Sequence, residues 1–171
     1  FEPSKSQRQL LRRNATLLSK RSPIRFSRQK FQLFDLHIQR LYERQPSSLA
    51  SFFFFFSSQV PVQGQEWRVY FNKNLIACSF FHIGDRAFSG TYCIFDPAYS
   101  QFSLGTYTML LELLLAKELG KKYYYHGYTY NVPSQFDYKL NFNALEAMNW
   151  ESGEWQPQER LPVRRWNDLI K

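Results

Sequence analysis

The sequence has few of the residues that build metal sites and covalent cross-links. It contains two cysteines and three histidines in 171 residues. Cys78 and Cys93 both lie in apolar, strand-like segments, and no CxxC pair or Cys/His spacing typical of zinc occurs. We therefore expect no metal and no other cofactor. The two cysteines are interpreted as structural thiols of a reducing compartment, the cytoplasm.

Long apolar segments and nucleophile motifs are also lacking. No stretch is long enough to cross a bilayer and no secretory signal is evident, so we expect no membrane partner. The chain begins at Phe1 rather than Met, which leaves room for a segment upstream. His37, His82 and His126 lie in separate segments, none beside a suitable Ser or Cys motif. A Ser-His-Asp or Cys-His mechanism therefore has little support.

Positive charge is present in excess and is concentrated at the N-terminal end. Residues 1–45 hold eleven Lys and Arg against three acidic residues, a net +8, which equals the charge of the whole chain. Such asymmetry indicates a polyanionic partner. The alternative is a solvated basic tail. We predict an extended or partly helical basic arm over residues 1–27, followed by one domain over residues 28–171.

The first part of that domain is predicted to contain a helix and a meander. Apolar residues recur at helical spacing from Ser27, a plausible N-cap, and the helix should end near Arg44. Five consecutive phenylalanines at 52–56 have no amphipathic period and are expected to pack on the core. Short turns then separate three strand-like runs, which indicates antiparallel strands over 67–71, 75–83 and 87–95.

The second part begins with a long helix over residues 103–120. Ser103 can cap its start, and Gly120 stands where a C′ glycine belongs. A tyrosine-rich strand follows, which a right-handed crossover should place parallel to the third strand. The segment after residue 142 predicts a final pair of short strands. The expected fold class is α+β, with an antiparallel meander, a helix and a parallel strand in one mixed sheet.

The segment KKYYYHGYTYN, residues 121–131, is unusually rich in tyrosine. Tyrosine suits positions where the ring is buried and the hydroxyl forms a hydrogen bond. On a regular strand one face carries Tyr124, His126 and Tyr128, and the other carries Tyr123, Tyr125 and Gly127. One face should pack on the helix while the other lines a groove. The alternative is that these rings belong to the core, with their hydroxyls at its rim.

The order of three strands, a helix and a fourth strand resembles the acetyltransferase-like (GNAT) folds, in which the third and fourth core strands splay apart. Acetyl-CoA enzymes of that fold mark the turn before the helix with Gln/Arg-x-x-Gly-x-Gly/Ala. Here residues 99–107 read YSQFSLGTY and keep only Gly105. An acyl-CoA-dependent N-acyltransferase stays an alternative function. The sequence argues against it, because the phosphate-binding turn that such enzymes use is not conserved here beyond Gly105.

A closer resemblance is to the C-terminal domain of arginyl-tRNA–protein transferases and their bacterial leucyltransferase relatives. The matching segments are FEPSKSQRQLLRRN (1–14), LIACSFFHI (75–83), TYCIFDPAY (91–99), SLGTYTMLLELLLAKELG (103–120), KYYYHGYTY (122–130) and DYKLNF (137–142). The SLGxY and YYYxGY elements are the specific ones. The cysteines of the family's N-terminal module do not occur in this sequence, and Asn131-Val132-Pro133 stands where members often have a Cys.

The resemblance implies transfer of an amino acid, Arg or Leu, from a charged tRNA to an amine, with a protein or peptide N-terminus, including Asp or Glu, as acceptor. The donor ester is already activated, so the enzyme must align the amine, accept a proton and stabilise an oxyanion. The implied catalytic residues are Asp96, Ser103, Tyr128 and Lys139. The implied substrate-binding residues are Tyr99, Gly105, Tyr107, Tyr124, His126, Asn131 and Tyr138.

The implied contacts to tRNA phosphates are Lys5, Arg8, Arg12, Arg13, Arg21, Arg25, Arg28 and Lys30. Each of the other implied roles has a structural alternative. Asp96 can cap an Asp-Pro turn, Ser103 can be a simple N-cap, and Lys139 can be a solvated surface lysine. A third function class, a tRNA-binding module without catalytic activity, also stays open.

Overall fold

The computed structural model describes residues 1–41, 48–50, 62–129, 134 and 136–158. The elements in chain order are α1 (Lys5–Arg13), β1 (Leu18–Pro23), α2 (Arg28–Ile38), β2 (Gln63–Phe71), β3 (Asn74–Ile83), β4 (Ala87–Phe95), a 3₁₀ helix (Pro97–Phe102), α3 (Leu104–Glu118), β5 (Tyr123–Tyr125), a second 3₁₀ helix (Asp137–Asn141), β6 (Glu146–Met148) and β7 (Trp155–Pro157). They belong to two compact units, a larger one over Gln9–Gly127 and a smaller one of Phe1–Arg8 with the chain from Tyr128 onward.

The larger unit is built on a five-stranded sheet in the order β1-β2-β3-β4-β5. Neighbouring strands are antiparallel except β4 and β5, which are parallel. Asn72 and Lys73 join β2 to β3 with φ of 47° and 66°. Positive φ at both central residues is typical of the type I′ turn, whose twist fits a two-residue hairpin. The predicted meander, parallel strand and GNAT-like α+β class are thereby confirmed.

Helices cover both faces of this sheet. Leu33 and Phe34 of α2 cluster with Phe80 of β3, whereas Leu115 of α3 clusters with Phe81. Successive residues of a strand point to opposite faces, so the adjacent Phe80 and Phe81 serve the two separate cores. Both rings are fully buried. The sheet is therefore the middle layer of three.

The cap predicted for the C-terminal end of α3 is observed, whereas the cap predicted for its N-terminal end is not. Gly120 has φ of 65°, its N–H donates to Lys117 O at 3.0 Å, and the Lys121 N–H donates to Ala116 O at 2.8 Å. This pair of bonds is a Schellman motif, and the predicted C′ glycine is confirmed. Ser103 occupies the N-cap position with φ of 47°, but its side chain forms no capping hydrogen bond. The Ser103 hydroxyl instead accepts a hydrogen bond from Arg13.

The N-terminal part of the chain is more ordered than predicted. α2 ends at Ile38 rather than near Arg44, and the side chain of its N-cap Ser27 makes no capping bond. The strand β1, which the sequence does not predict, pairs with β2 along the edge of the sheet. The division of the chain at residue 27 stays a prediction. Arg44 and the phenylalanines at 52–56 lie outside the described residues.

The smaller unit contains the predicted pair of short strands. β6 and β7 pair antiparallel, with Met148 opposite Trp155. The ring of Phe1 lies 5.9 Å from the ring of Phe142, and Gln7 donates to Asn141 O at 3.4 Å. The first residues of the chain thus pack on the second 3₁₀ helix and the residue after it.

Candidate functional site

The sheet opens along the outer edge of β4. β5 pairs with β4 over three residues, from Ala87 opposite Tyr123 to Ser89 opposite Tyr125. β4 continues to Phe95, and no strand among the described residues pairs with its outer edge beyond Ser89. This is the predicted parting of the third and fourth core strands. The face alternation predicted over residues 123–128 holds only for β5, because the chain has left the strand before Gly127, whose φ is 82°.

A β-bulge lies at the point where the opening begins. Phe80 of β3 faces Tyr92, but Phe81 faces Gly90, so Thr91 is an extra residue on β4. A bulge interrupts the ladder and redirects the backbone groups beside it, and bulges are frequent next to active sites. The opening therefore has irregular backbone on one of its walls.

Gly90, the residue before the bulge, allows the side chains of Tyr124 and Glu112 to approach the backbone of β4 closely. A Cβ at this position would lie 2.9 Å from the Tyr124 hydroxyl oxygen and 3.0 Å from Oε2 of Glu112. The Tyr124 hydroxyl donates to Glu112 Oε2 at 2.8 Å, and the Ser79 hydroxyl donates to Oε1. Glu112 is not among the site residues predicted from the sequence, although a single carboxylate within the run LLELLL was a detectable signal.

Positive charge lies beside the start of α3. Arg13 Nη2 donates to Ser103 Oγ at 3.2 Å, and Asn14 Nδ2 donates to Phe102 O at 2.8 Å. Arg12 and Arg13 are exposed, and the N-terminal end of a helix carries a partial positive charge. The structure thus brings two predicted site residues, Arg13 and Ser103, together at a place suited to a phosphate or an oxyanion.

The other predicted residues near the start of α3 have structural partners. Asp96 Oδ1 accepts the Ala98 N–H at 2.9 Å, so its turn-capping role is observed. The half-buried Tyr99 meets Phe71 edge-on at 6.0 Å. Tyr107 is 5% exposed and its hydroxyl lies 3.2 Å from that of Ser19. Tyr107 as a direct substrate contact is therefore wrong, because its ring is in the core. Gly105 lies half-buried in the first turn of α3.

One predicted phosphate contact is wrong as well. Lys30 is 3% exposed, and its Nζ lies 2.6 Å from Oε1 of Glu66 on β2. The ammonium group is neutralised inside the protein and cannot reach an RNA backbone. The remaining predicted contacts are exposed, namely Lys5, Arg8, Arg12, Arg13, Arg21, Arg25 and Arg28.

The smaller unit holds Tyr128, Lys139 and Tyr138. Lys139 Nζ donates to Tyr128 O at 3.3 Å and lies 5.4 Å from the ring centroid of Phe136. Tyr128 is 78% exposed, and its ring stacks on Trp150 at 6.1 Å. Tyr138 is half-buried. His126, in the larger unit, is also half-buried, and Asn131 lies outside the described residues.

Burial shifts the titration of other groups away from neutral pH. His37 Nδ1 accepts the Phe95 N–H at 3.1 Å. Burial, with the nearby Arg40 charge, lowers the pKa of His37 to about 3. Burial also lowers the pKa of His82 and raises that of the Cys78 thiol. His37 is thus neutral and Cys78 protonated near pH 7, so neither suits acid–base or nucleophilic catalysis there.

The described residues contain neither a metal-binding cluster nor a membrane-spanning helix. No group of three or more His, Cys, Asp or Glu side chains in these residues is arranged to hold a metal ion. No helix among them is long and apolar enough to cross a bilayer.

A mixed sheet that opens beside the start of a long helix defines a GNAT-like fold. The solved "structure of L-PGS from Bacillus licheniformis" shares it, with a TM-score of 0.52 and 15% sequence identity over 78% of this chain and 43% of that one.

The family follows from the sequence of the same region. Residues 29–149 match the family described as "Arginine-tRNA-protein transferase, C terminus", and the chain belongs to this family. It is 29% identical to an aspartate/glutamate leucyltransferase of Paracoccus denitrificans over 92% of this chain and 60% of that protein. It is 28% identical to one of Marinobacter nauticus over 91% of this chain and 66% of that protein. The chain thus spans about three fifths of the length of these relatives.

Proposed function

We propose that the protein transfers an amino acid from the 3′ end of a charged tRNA to the N-terminal amine of a protein or peptide. The observation that carries the proposal is the opening between β4 and β5 in a chain of this family. Leucine is the favoured amino acid and N-terminal Asp or Glu the favoured acceptor, because the similar relatives are named aspartate/glutamate leucyltransferases. Arginine is the second candidate, from the description of the family.

The proposed reaction does not require a nucleophilic side chain. The aminoacyl ester is activated, so a positioned amine can attack it directly once the amine has lost its proton. Beyond Ser89 the outer edge of β4 pairs with no strand among the described residues, and aromatic groups lie at the end of β5. Backbone N–H groups that point into such an opening stabilise the oxyanion of the tetrahedral intermediate. His126 and Tyr124 supply polar atoms at the same end of β5.

The RNA is expected to contact the basic residues that are exposed. Arg12 and Arg13 at the end of α1 lie beside the start of α3, where a phosphate near the 3′ end would meet both the guanidinium groups and the helix N-terminus. Such contacts position an RNA without reading its sequence. Charged tRNA is made and used in the cytoplasm, so we propose that the reaction takes place there.

We also propose that Tyr128 and Lys139 act on the acceptor. Lys139 carries a positive charge suited to the acidic side chain of an N-terminal Asp or Glu, and its hydrogen bond to Tyr128 O ties the two residues together. Replacing Tyr128 by Phe or Lys139 by Ala should lower the rate of transfer without unfolding the protein. For Asp96 and Ser103 a catalytic role stays a proposal beside the structural contacts that each makes.

A donor and acceptor screen tests the proposal. The protein is incubated with leucyl-, arginyl- and other charged tRNAs, each with labelled amino acid, and with peptides that begin with Asp, Glu or Ala. Label should enter peptides with a free Asp or Glu amine and should not enter their N-acetylated forms. If no charged tRNA supports transfer to any amine, the enzyme hypothesis fails. Equal affinity for charged and uncharged tRNA would then indicate a binding module.

The acyl-CoA alternative is tested separately. The turn before α3 is occupied by the 3₁₀ helix Pro97–Phe102, and of the glycine motif only Gly105 remains. We therefore expect that coenzyme A does not raise the melting temperature of the protein, whereas aminoacyl-tRNA does. A coenzyme A-dependent rise would favour the alternative.

A further inference from the structure

Phe26 and Phe31 form an exposed pair of aromatic rings at the start of α2. Their ring centroids lie 5.9 Å apart at an interplanar angle of 19°, and the two residues are 46% and 39% exposed. Phe26 precedes the N-cap Ser27 and Phe31 is the fourth residue of α2, so the contact is a hydrophobic staple, which fixes the entry of the chain into the helix. A staple explains why the rings meet, but it does not require that both stay this accessible to solvent.

Positive charge surrounds this pair of rings. Arg25 and Arg28 are exposed, and Arg28 lies one turn before Phe31 on the same face of α2. The sequence contains no Asp or Glu between Glu2 and Asp35. We call four residues the aromatic–basic patch: Arg25, Phe26, Arg28 and Phe31. Such a surface suits a polyanion that also presents flat rings, which is the chemistry of an RNA strand.

A buried ion pair holds the backbone of this patch in place. Lys30 Nζ donates to Arg25 O, and the Arg25 N–H donates to Glu66 Oε2 at 3.4 Å. Lys30 on α2 and Glu66 on β2 are 3% and 1% exposed. Backbone that is already fixed lowers the entropy lost when a ligand binds. The patch is therefore preorganised by the helix and the sheet of the larger unit.

α2 sets the distance from the patch to the opening of the sheet. The helix begins at Arg28, and near its other end His37 Nδ1 accepts the N–H of Phe95, on the part of β4 beyond its pairing with β5. From Arg28 to His37 the helix rises about 14 Å. An RNA whose 3′ terminus occupies the opening would therefore reach the patch a few nucleotides upstream.

We propose that the aromatic–basic patch binds the unpaired 3′ strand of the tRNA upstream of its terminal nucleotide, with a base stacked on the two phenylalanines and phosphates on the two arginines. Aromatic rings need the face of a base, which a duplex keeps inside its stack, so an unpaired strand fits the patch better than a stem does. The inference rests on the proposed function. It deepens that function by naming the part of the RNA that is bound away from the opening.

Binding of uncharged RNA tests the inference without requiring transfer. A hairpin that carries the acceptor stem with its single-stranded 3′ overhang should bind at least about fivefold more tightly than the same hairpin with a blunt end. Phe26→Leu and Phe31→Leu should each remove most of this preference, because leucine is apolar but cannot stack on a base. Fluorescence anisotropy at constant salt measures the affinities. Equal affinity of the wild type for both hairpins, or an unchanged preference in the variants, would overturn the inference.

Leu36→Ala is the matched control on the same helix. Leu36 is 41% exposed, as accessible as Phe31, but lies outside the patch. Its replacement should leave the preference for the overhang unchanged, and a loss as large as that in Phe31→Leu would overturn the inference. Arg25→Ala with Arg28→Ala should lower the slope of log affinity against log salt by about 1 to 2, whereas Phe31→Leu should leave the slope unchanged.

A fluorescent base analogue locates the contact. With 2-aminopurine placed in turn at each position of the overhang, binding should change its fluorescence at a position upstream of the 3′ terminus, and Phe31→Leu should abolish that change. A response confined to the terminal position would overturn the inference. So would binding that depends on the two phenylalanines for phosphatidylglycerol vesicles but not for RNA, because exposed rings beside cations also suit an anionic membrane.

These outcomes are separate from those of the transfer assay. A fluorescence change that Phe31→Leu abolishes would support the inference even if no charged tRNA supports transfer. The same change in the wild type and the variant would overturn it even if transfer is observed.

Discussion

At the residue scale, the buried polar side chains are those that the sequence predicted least well. Lys30 looked like one more member of a basic arm, yet it pairs with Glu66, 36 positions away in the sequence. Glu112 looked like the single polar break in a leucine-rich helix, yet it joins β3 to β5. Helical periodicity places a side chain on a face but does not identify a partner from a distant element. The arginines predicted to contact RNA are exposed, and that contact stays a prediction.

His37 provides a residue-scale prediction about stability. Its pKa is about 3 in the folded protein and about 6.5 in an unfolded chain. The unfolded state therefore binds more protons between these values, and stability falls as pH falls through this window. The contribution of His37 is fully present above about pH 6.5. It should be lost at up to about 1.4 kcal/mol per pH unit on the way down to pH 3.

Urea denaturation of the wild type and of His37→Gln at pH 7, 6, 5 and 4 measures this effect. Glutamine can accept the Phe95 N–H but does not titrate. The unfolding free energy of the wild type minus that of the variant should fall steadily towards acid pH, and it changes sign once the loss exceeds the cost of the substitution. His82, whose pKa is also lowered, is present in both proteins and cancels. A difference independent of pH would show that folding does not lower the pKa of His37.

At the element scale, α3 and the strands beside it were predicted closely because each carries a local signal. The two-residue turn, the leucine pattern and Gly120 are all features of short sequence stretches. β1 was missed because LSKRSP has mainly polar side chains and becomes a strand only by pairing with β2. The shortness of β5 was missed because an alternating tyrosine pattern does not show where pairing ends.

Gly120 gives an element-scale prediction about the end of α3. Its φ is 65°, and a Cβ there would meet no atom within 4 Å. Gly120→Ala should therefore lower the unfolding free energy by about 1 kcal/mol through backbone strain alone. Gly120→Asn should cost less, because asparagine tolerates the left-handed conformation. Equal stability of the alanine variant and the wild type in urea would contradict the Schellman assignment.

The end of α1 gives an element-scale prediction about RNA. Arg12→Ala with Arg13→Ala should weaken tRNA binding and reduce the slope of log affinity against log salt by about 1 to 2. Lys73→Ala removes one exposed positive charge in the β2–β3 turn; it is the control and should change the slope little. Fluorescence anisotropy between low and moderate salt measures both. A loss of equal size in the control would show that only net charge matters.

At the scale of the whole molecule, fold class and family were accessible from sequence because the motifs that carry them recur in order along most of the chain. The site was accessible only in part. Arg13 and Ser103 were selected separately and meet in the structure, whereas Tyr107 lies in the core. Proximity in space depends on how elements pack, and no motif spacing encodes it. The central claim is that the parting of β4 and β5 receives the loaded 3′ end of a tRNA.

Photo-cross-linking tests that claim most directly. A tRNA charged with the leucine analogue photoleucine is bound to the protein, irradiated, and the cross-linked peptides are identified by mass spectrometry. Cross-links should map to residues 89–95 and 123–127 and should disappear when excess unlabelled leucyl-tRNA competes. Competed cross-links confined to other parts of the chain would contradict the account.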